Sequence, residues 1–253
     1  MSERAREYQR TNRAFWDGDA DDYQAVHHAD ISNPAWGAYR VPEAEVRVLP
    51  DLAGLDVLEL GCGGAQASLA FTGAAATTTG LDLSLAQLRH ARRNIATASR
   101  RMPLVCASGV STPFRDASFD VVFCDHGAMS FCDPHLTVPE AARLLRVGGW
   151  LLFSIATLLH NTCFPLDDPD ATISTTLHQP MFRSGGYDWG DGTIDFQLLH
   201  AEWISLFRSH GFSIEDLVAL RPPVDAATGY DGFATVEWSR NWPGEEIWKV
   251  RRT

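Results

Sequence analysis

The sequence has no long hydrophobic run and no leader-like beginning. No stretch approaches the ~18 consecutive apolar residues that a membrane-spanning helix needs. The opening residues, Met-Ser-Glu-Arg, lack the charged and then apolar layout of a secretory signal. The 253 residues, of which 45% are hydrophobic and 21% charged, are typical of one enlarged globular domain. We therefore predict a cytoplasmic protein that does not act at a membrane.

Paired cysteines and an excess of basic residues are also missing. The five cysteines form no Cys-x-x-Cys pair, so we expect small buried side chains and neither a disulfide framework nor a metal site. The net charge of −11 argues against a nucleic-acid partner, because binding to nucleic acid depends on lysine and arginine neutralising phosphates. With no sign of a metal site and a nucleic-acid partner disfavoured, we predict a small-molecule substrate.

A glycine-rich turn at residues 61–64 is the strongest local signal. Residues 57–60 are apolar apart from Glu59 and predict a short buried strand, which runs into three glycines within four positions. Residues 65–71 are small and apolar enough for a helix. A strand that ends in such a turn brings bare backbone close to a ligand, so this unit predicts the opening of a parallel α/β sheet.

The details of this turn disfavour a dinucleotide. The dinucleotide fingerprint needs glycine at its first, third and sixth positions, and the sixth position here is Gln66. The carboxylate of Glu59 would repel a pyrophosphate and suits a cationic ligand better. A nicotinamide-dependent oxidoreductase is therefore the weaker reading.

Three further stretches join the glycine turn in one family resemblance. Residues 58–64, Leu-Glu-Leu-Gly-Cys-Gly-Gly, and residues 80–84, Gly-Leu-Asp-Leu-Ser, resemble the first two motifs of class I S-adenosylmethionine-dependent methyltransferases. Residues 113–120 and 144–149 are similar to later signatures of the same family, so that the motifs cover residues 57–155. The resemblance implies a doubly wound, Rossmann-like seven-stranded sheet with six parallel strands, one antiparallel C-terminal strand and helices on both faces. We expect a helical cover at residues 1–50 and a methyltransferase domain at 51–253, with a substrate or lid insertion at about 156–198.

The same resemblance implies a site for S-adenosylmethionine. Asp82 would accept from the ribose hydroxyls, whereas Ser108 stands where many relatives carry an aspartate for the adenine amino group. A neutral hydroxyl is the weaker acceptor, so this departure puts the adenine contact in doubt. The cofactor residues predicted in this way are Glu59, Gly61, Cys62, Gly63, Gln66, Asp82, Leu83, Gln87, Ser108, Gly109, Asp125 and Tyr23.

Methyl transfer from this cofactor is an in-line displacement that releases S-adenosylhomocysteine and needs no metal. A general base helps when the acceptor is a hydroxyl, a thiol or an activated carbon, and histidine has a suitable pKa. His126 is the first candidate because its loop would face the methyl group, and His200 is the second; for each, a role in shaping the pocket is the competing interpretation. Predicted substrate contacts are Trp16, His27, Met129, His160 and His178, with His28 beside them.

Other functions stay open at this stage. A cofactor-binding protein with non-methylating chemistry, such as a cyclisation or a regulatory role, is compatible with the same motifs. Methylation of nucleobase or glutamine nitrogens is disfavoured, because the loop after the fourth strand lacks the Asn/Asp-Pro-Pro-aromatic run of those enzymes. Trp238, Trp242 and Trp248 fit either a core or an interface, so a homodimer is compatible with the sequence.

Several local features are expected as well. Asp17-Gly18-Asp19 predicts a break between two short N-terminal helices. Ser84 with Gln87 predicts a capping box. Residues 138–147 predict a helix, followed by a turn at Gly148-Gly149.

Overall fold

The computed structural model of the chain describes residues 2–27, 31–73, 76–166, 172–182, 185–227 and 233–253. The helices in these ranges are α1 (Glu3–Val26), α2 (Glu43–Val46), α3 (Gln66–Phe71), α4 (Leu85–Thr97), α5 (Ala128–Phe131), α6 (Pro134–Leu144), α7 (Leu158–Cys163), α8 (His200–Ser209) and α9 (Val236–Asn241). The strands are β1 (Ala35–Trp36), β2 (Val41–Pro42), β3 (Asp56–Leu60), β4 (Thr77–Asp82), β5 (Leu104–Cys106), β6 (Phe119–Asp125), β7 (Leu145–Ala156), β8 (Tyr187–Asp188), β9 (Ile194–Asp195), β10 (Phe212–Leu220) and β11 (Glu245–Arg252).

Seven strands form one sheet in the order β10-β11-β7-β6-β3-β4-β5. Strand β11 runs antiparallel to both of its neighbours, and the other six strands point the same way. The predicted six-plus-one sheet is therefore confirmed. The chain moves outward from β3 to β5 and then returns to β6 on the other side of β3, so the strand order reverses between β3 and β6. In open α/β sheets a ligand crevice forms outside the carboxyl ends of the strands at such a reversal.

The central strands are apolar on both faces because both faces are covered. In β3, Leu58 and Leu60 belong to one buried cluster and Val57 to another, as the two-residue period of a strand requires. The first cluster includes residues of α6 and α8, and the second includes Trp36 and Val41 from the N-terminal part of the chain. Among the described residues, no helix combines the length and the apolar character needed to cross a membrane.

The N-terminal segment is one helix of 24 residues, so the expected break at Gly18 is wrong. A Cβ at Gly18 would have no atom within 4 Å, so Gly18 lies on a side of the helix that packs against nothing nearby among the described residues. Asn12, Ala20 and Gln24 are buried, and their packing outweighs the ~1 kcal/mol by which glycine disfavours a helix interior. The division at residue 50 stays a prediction.

Helix α6 begins four residues earlier than expected and ends three residues earlier. Asp133 accepts from the backbone of His135, and Pro134 occupies the first turn. The expected turn at Gly148-Gly149 is instead an irregularity inside β7, where pairing with β6 shifts register. A Cβ at Gly149 would lie 2.7 Å from the carbonyl oxygen of Asp120, so a larger residue could not take its place without a shift of the strand.

Candidate active site

A cavity of about 800 Å³ opens at the carboxyl ends of the central strands. Gly61 after β3, Asp82 at the end of β4 and Asp125 at the end of β6 all line it. Helix α1 and the β8–β9 hairpin contribute walls from outside the sheet. The volume is within the range of ~300–1,000 Å³ that is usual for ligand pockets.

The glycine turn packs directly against the loop that follows β6. Gly61 has a φ of +77°, and a Cβ there would lie 2.4 Å from the backbone nitrogen of Ala128. A Cβ at Gly127 would in turn lie 2.4 Å from the carbonyl oxygen of Gly61. Only glycines permit this approach of the two loops. At Gly63, by contrast, the nearest heavy atom to a Cβ would be 3.7 Å away, an ordinary van der Waals contact, so this part of the turn is less tightly packed.

Two acids flank the turn, of which Glu59 is buried and Asp82 is half-buried. Glu59 accepts from the backbone and from the hydroxyl of Ser68 in α3, and burial raises its pKa to about 8. Asp82 accepts from the backbone of Gly63 at 2.8 Å and from that of Ser84 at 2.7 Å, and burial raises its pKa to about 6. Neither acid forms an ion pair with a described residue. Their raised pKa values therefore reflect negative charge that no buried cation compensates.

Three glutamines connect α1 to the two helices that follow the glycine turn. The Gln66 amide donates to Gln24 at 2.6 Å, and the Gln24 amide donates to Gln87 at 2.8 Å. The expected capping box is therefore only half present: Ser84 accepts from the backbone of Gln87, but the Gln87 side chain bonds Gln24 instead. The end of α1 is thereby held beside the glycine turn by uncharged groups.

Asn12 joins α1 to the hairpin on the opposite side of the cavity. Its amide donates to the carbonyl oxygens of Phe131 and Ile194, and its own oxygen accepts from the backbone of Ile194 at 2.8 Å. The side chain is buried. Helix α1, α5 and β9 are therefore fixed to one another at one residue.

His126 lies on the cavity wall and is paired with a buried carboxylate. Its Nε2 is 2.6 Å from Oε1 of Glu245, which is 1% exposed and also accepts from the backbone of Ala38. Burial lowers the pKa of His126, but the hydrogen bond and the charge of Glu245 raise it more, so the net pKa is above the usual histidine value. His126 also has a φ of +56°, an uncommon backbone conformation that is frequent at functional sites.

A row of aromatic rings continues from His126 along the cavity. Phe233 lies 6.5 Å from His126 and stacks on His160 at 4.3 Å between ring centroids, and Phe164 lies 5.1 Å from Trp189. His160 is buried, and burial lowers its pKa to about 4.

Asp195 lies on the hairpin side of the same cavity. Burial raises the pKa of Asp195 to about 7, and its Oδ1 has no hydrogen-bond partner among the described residues. A buried carboxyl group without a full set of partners next to a cavity is a candidate ligand contact.

The structure brings most of the predicted site residues together. Those that line the cavity are Trp16, Tyr23, His27, Glu59, Gly61, Cys62, Gly63, Gln66, Asp82, Leu83, Gln87, Gly109, Asp125, His126 and His160. Trp16 makes edge contacts with Tyr23 at 5.3 Å and Phe131 at 5.1 Å, which places the N-terminal aromatic residues on the wall that α1 forms. Their individual roles stay predictions.

Four predicted residues do not line this cavity, and their expected roles stay predictions. Met129 is fully buried in the hydrophobic core. His178 is exposed, and its backbone bonds Thr162. The Ser108 hydroxyl accepts from Val110 within its own turn and is not part of the cavity wall.

His200 is the fourth of these residues. It is 54% exposed and pairs with Glu246 at 2.8 Å, away from the cavity. Glu245 and Glu246 are adjacent on β11 and point to opposite faces of the sheet, so their two histidines are separated by the sheet. His28 lies outside the described residues.

Sequence reasoning missed Glu245, Asp195, Phe233 and Asn12. Glu245 is 119 positions from its partner His126, and no local pattern links the two. The Asp195 and Phe233 side chains come from the irregular segments around the sheet, whose path has no sequence period. Asn12 was hidden in a charged helix, although a buried asparagine there could have been suspected once one continuous helix was assumed.

Comparisons with known proteins agree with this geometry. The family model described as a methyltransferase domain matches residues 58–153. The ubiquinone biosynthesis O-methyltransferase of Thiobacillus denitrificans is 32% identical over 142 residues, which are 55% of this chain and 56% of that protein. The chain thus spans about half the length of the curated relatives that it matches.

Solved structures share the fold over a larger part of the chain. The S-adenosylmethionine-dependent methyltransferase from Mesorhizobium loti has a TM-score of 0.61 at 19% identity and covers 83% of this chain and 96% of its own. The cyclase SpnF has a TM-score of 0.61 at 16% identity, over 95% of this chain and 94% of its own. Residues 58–153 thus match a methyltransferase domain, and the chain has the fold of solved S-adenosylmethionine-dependent methyltransferases, with the reversal of strand order and the glycine turn at its edge.

Proposed function

We propose that this protein transfers a methyl group from S-adenosylmethionine to a hydroxyl oxygen of a small molecule. The observation that carries the proposal is His126, which lines the same cavity as the glycine turn and is paired with Glu245 behind it. S-adenosylmethionine, the cofactor of the family, supplies an electrophilic methyl group on a sulfonium. The net charge of −11 makes a nucleic-acid acceptor unfavourable. Homodimer formation and a cytoplasmic location stay predictions.

The residues around the glycine turn fit that cofactor. Glu59 is buried and Asp82 is half-buried, neither has a cationic side-chain partner among the described residues, and a positively charged ligand would favour their ionised forms. Asp82 holds the turn through Gly63 and keeps further lone pairs for ribose hydroxyls. Gly63 lines the cavity, so a ligand there would lie against the backbone of the turn. With Ser108 outside the wall, the backbone at Gly109 and the side chain of Leu83 are the groups proposed for the adenine end.

His126 is proposed as the general base. Its Nε2 donates to the Glu245 carboxylate, so Nδ1 is the ring atom left to take the proton of the acceptor hydroxyl. The raised pKa strengthens His126 as a base, and Glu245 stabilises the imidazolium that forms. Helix α1 and the hairpin line the cavity, and their side chains are proposed to limit the access of water to the reacting groups.

The chain offers a matched pair of histidine variants to test this role. His126→Gln should lower the rate of methyl transfer by about 100-fold or more, the range for loss of a general base, with little change in cofactor affinity. His200→Gln is the control, because His200 makes the same kind of carboxylate contact outside the cavity. Calorimetric titration with S-adenosylmethionine and S-adenosylhomocysteine measures the cofactor site independently. Failure of both ligands to bind, or equal loss of rate in the two variants, would contradict the proposal.

A non-methylating reaction is the alternative. The cyclase SpnF shares the fold at a TM-score of 0.61, so the fold alone does not imply transfer. The proposed general base His126 and its partner Glu245 favour methyl transfer in this chain. A cyclisation that leaves the cofactor intact needs no group to accept a hydroxyl proton. Recovery of unchanged cofactor beside a rearranged substrate would support the alternative.

A further inference from the structure

The aromatic row in the cavity bears on the identity of the acceptor, and this inference rests on the proposed function. We define the aromatic wall as Phe164, Trp189, Phe233 and the imidazole of His160. The imidazole and the phenyl ring of Phe233 are stacked with an angle of 22° between their planes, and Phe164 meets Trp189 edge to face at 77°. Such a surface gives its largest contact area to another flat ring, since offset-stacked and edge-to-face pairs are the preferred aromatic geometries.

The wall begins beside the proposed base. The centroid of Phe233 is 6.5 Å from that of His126, and both residues line the cavity. A ring lying along the wall can therefore place a substituent at His126. An aliphatic chain could reach the same base, but it would leave the flat faces of the wall less completely covered.

Charges on this side of the cavity disfavour an anionic acceptor. Among the described residues, Asp125, Asp191 and Asp195 line it, and the arginine that lines the cavity is Arg40. Burial raises the pKa of Asp195, so a negative charge is costly on this side of the cavity, and Asp191 opposes it further. A carboxylate or phosphate on the ring would add to that repulsion, so an uncharged ring fits better.

His160 adds a specific hydrogen-bond acceptor. Its Nδ1 lies 3.1 Å from the side-chain oxygen of Asn161, so Nδ1 carries the proton and Nε2 has the free lone pair. Nε2 is buried and has no partner among the described residues. Its lowered pKa keeps the ring neutral at pH 7. An O–H or N–H group of a ligand is the partner that this atom requires.

The geometry points to an uncharged aromatic ring with two polar substituents as the methyl acceptor. One hydroxyl lies at His126 and becomes methylated; its oxygen forms the bond to the methyl carbon, the carbon–sulfur bond breaks, and the hydroxyl proton goes to His126. A second O–H or N–H on the ring donates to Nε2 of His160.

Calorimetry on the protein saturated with S-adenosylhomocysteine tests the acceptor class without turnover. Catechol is the probe, phenol lacks the second hydroxyl, protocatechuate adds a carboxylate, and cyclohexanol is not flat. We expect catechol to bind more tightly than phenol and cyclohexanol, and at least about tenfold more tightly than protocatechuate. Protocatechuate or cyclohexanol binding as tightly as catechol would overturn the inference.

Two variants test the wall itself. Trp189→Leu should weaken catechol binding by about tenfold, in line with the loss of an aromatic contact, while Trp242→Leu, at a position 46% exposed and outside the cavity, should not. His160→Phe should abolish the preference for catechol over phenol. Affinity for S-adenosylhomocysteine should stay unchanged in all three, which shows that each variant is folded.

The titrations separate the two proposals. If the unmodified protein does not bind S-adenosylhomocysteine, the proposed function fails. If it binds the cofactor product but the variants leave the affinity for catechol unaltered, only the assignment of the aromatic acceptor fails.

Discussion

Removal of the charge on Glu245 should move the pH profile of methyl transfer. The carboxylate is 2.6 Å from Nε2 of His126 and 1% exposed, so water screens the interaction poorly. In Glu245→Gln the amide can still accept from Ala38 and His126, but the negative charge is gone. The pKa of His126 should therefore fall, because burial, the largest influence on it, then acts with less opposition.

The size of the shift follows from the distance. An opposite charge at this range raises a histidine pKa by about 1–3 units, and we expect the acid limb of the rate profile to move down by at least about 1 unit, or ~1.4 kcal/mol. The rate at high pH should fall at the same time, because a base with a lower pKa accepts the acceptor proton less readily. Rates are to be measured from pH 5 to pH 9 with cofactor and acceptor saturating.

The neighbouring residue provides the control. Glu246→Gln removes a buried carboxylate from the same strand and from a similar histidine contact, but outside the cavity. Its acid limb should coincide with that of the unmodified protein. Identical profiles for the two variants, or no shift in Glu245→Gln, would refute the role given to Glu245.

Stability gives a second measurement of the same pair. A histidine pKa that is higher in the folded than in the unfolded protein stabilises the fold below the unfolded pKa of about 6.5, and the gain disappears as pH rises through the folded pKa. The loss of stability in Glu245→Gln should accordingly be larger at pH 5.5 than at pH 9. Urea unfolding at both values measures the difference.

Two further predictions concern stability. Asn12→Leu should lower the free energy of unfolding by about 3 kcal/mol, because three backbone groups of Phe131 and Ile194 lose a buried partner. The control Asn241→Leu, at an exposed position, should change the free energy of unfolding little in the same urea titration. The unmodified protein should lose stability between pH 5 and pH 8, since burial raises the pKa of Glu59 to about 8 and the unfolded chain releases this proton near pH 4.5. Glu59→Gln should flatten that dependence, by up to about 1.4 kcal/mol for each pH unit; an unchanged slope would show that Glu59 ionises normally in the fold.

The parts of the molecule that the sequence predicts well are those with a local period or a local motif. The strand predicted at residues 57–60 is β3, and the helix predicted at residues 65–71 is α3, each within one residue of the expected bounds. The glycine turn was recognisable because its conformation depends on residues within a few positions of one another. His126 could be placed near the cofactor because the loop after β6 must lie beside the loop after β3.

The parts that could not be predicted depend on distant contacts. The expectation of a break at Gly18 did not take the buried face of α1 into account. This face is buried by packing against α4 and β9, which are distant in the sequence. The side of the sheet on which His200 lies could not be predicted, because its partner Glu246 is 46 positions away in the sequence. The orientation of His126 was likewise hidden, because it depends on a carboxylate that enters the sheet on the last of its strands.

The position of β11 has a consequence for folding. Strand β10 precedes β11 in the sequence. In the sheet, however, β10 pairs with β11, and β11 pairs with β7 on its other side. Until residues 245–252 arrive, β7 presents an open, apolar edge that other chains could pair with, and a contact this distant in sequence is slow to form. The pairing of β11 with β7 also brings Glu245 to His126. A chain in which β11 has not yet paired would therefore have the cofactor motif but no oriented base. Enzymatic activity would therefore report completion of the sheet, and refolding yields measured by activity should lag behind those measured by helix content.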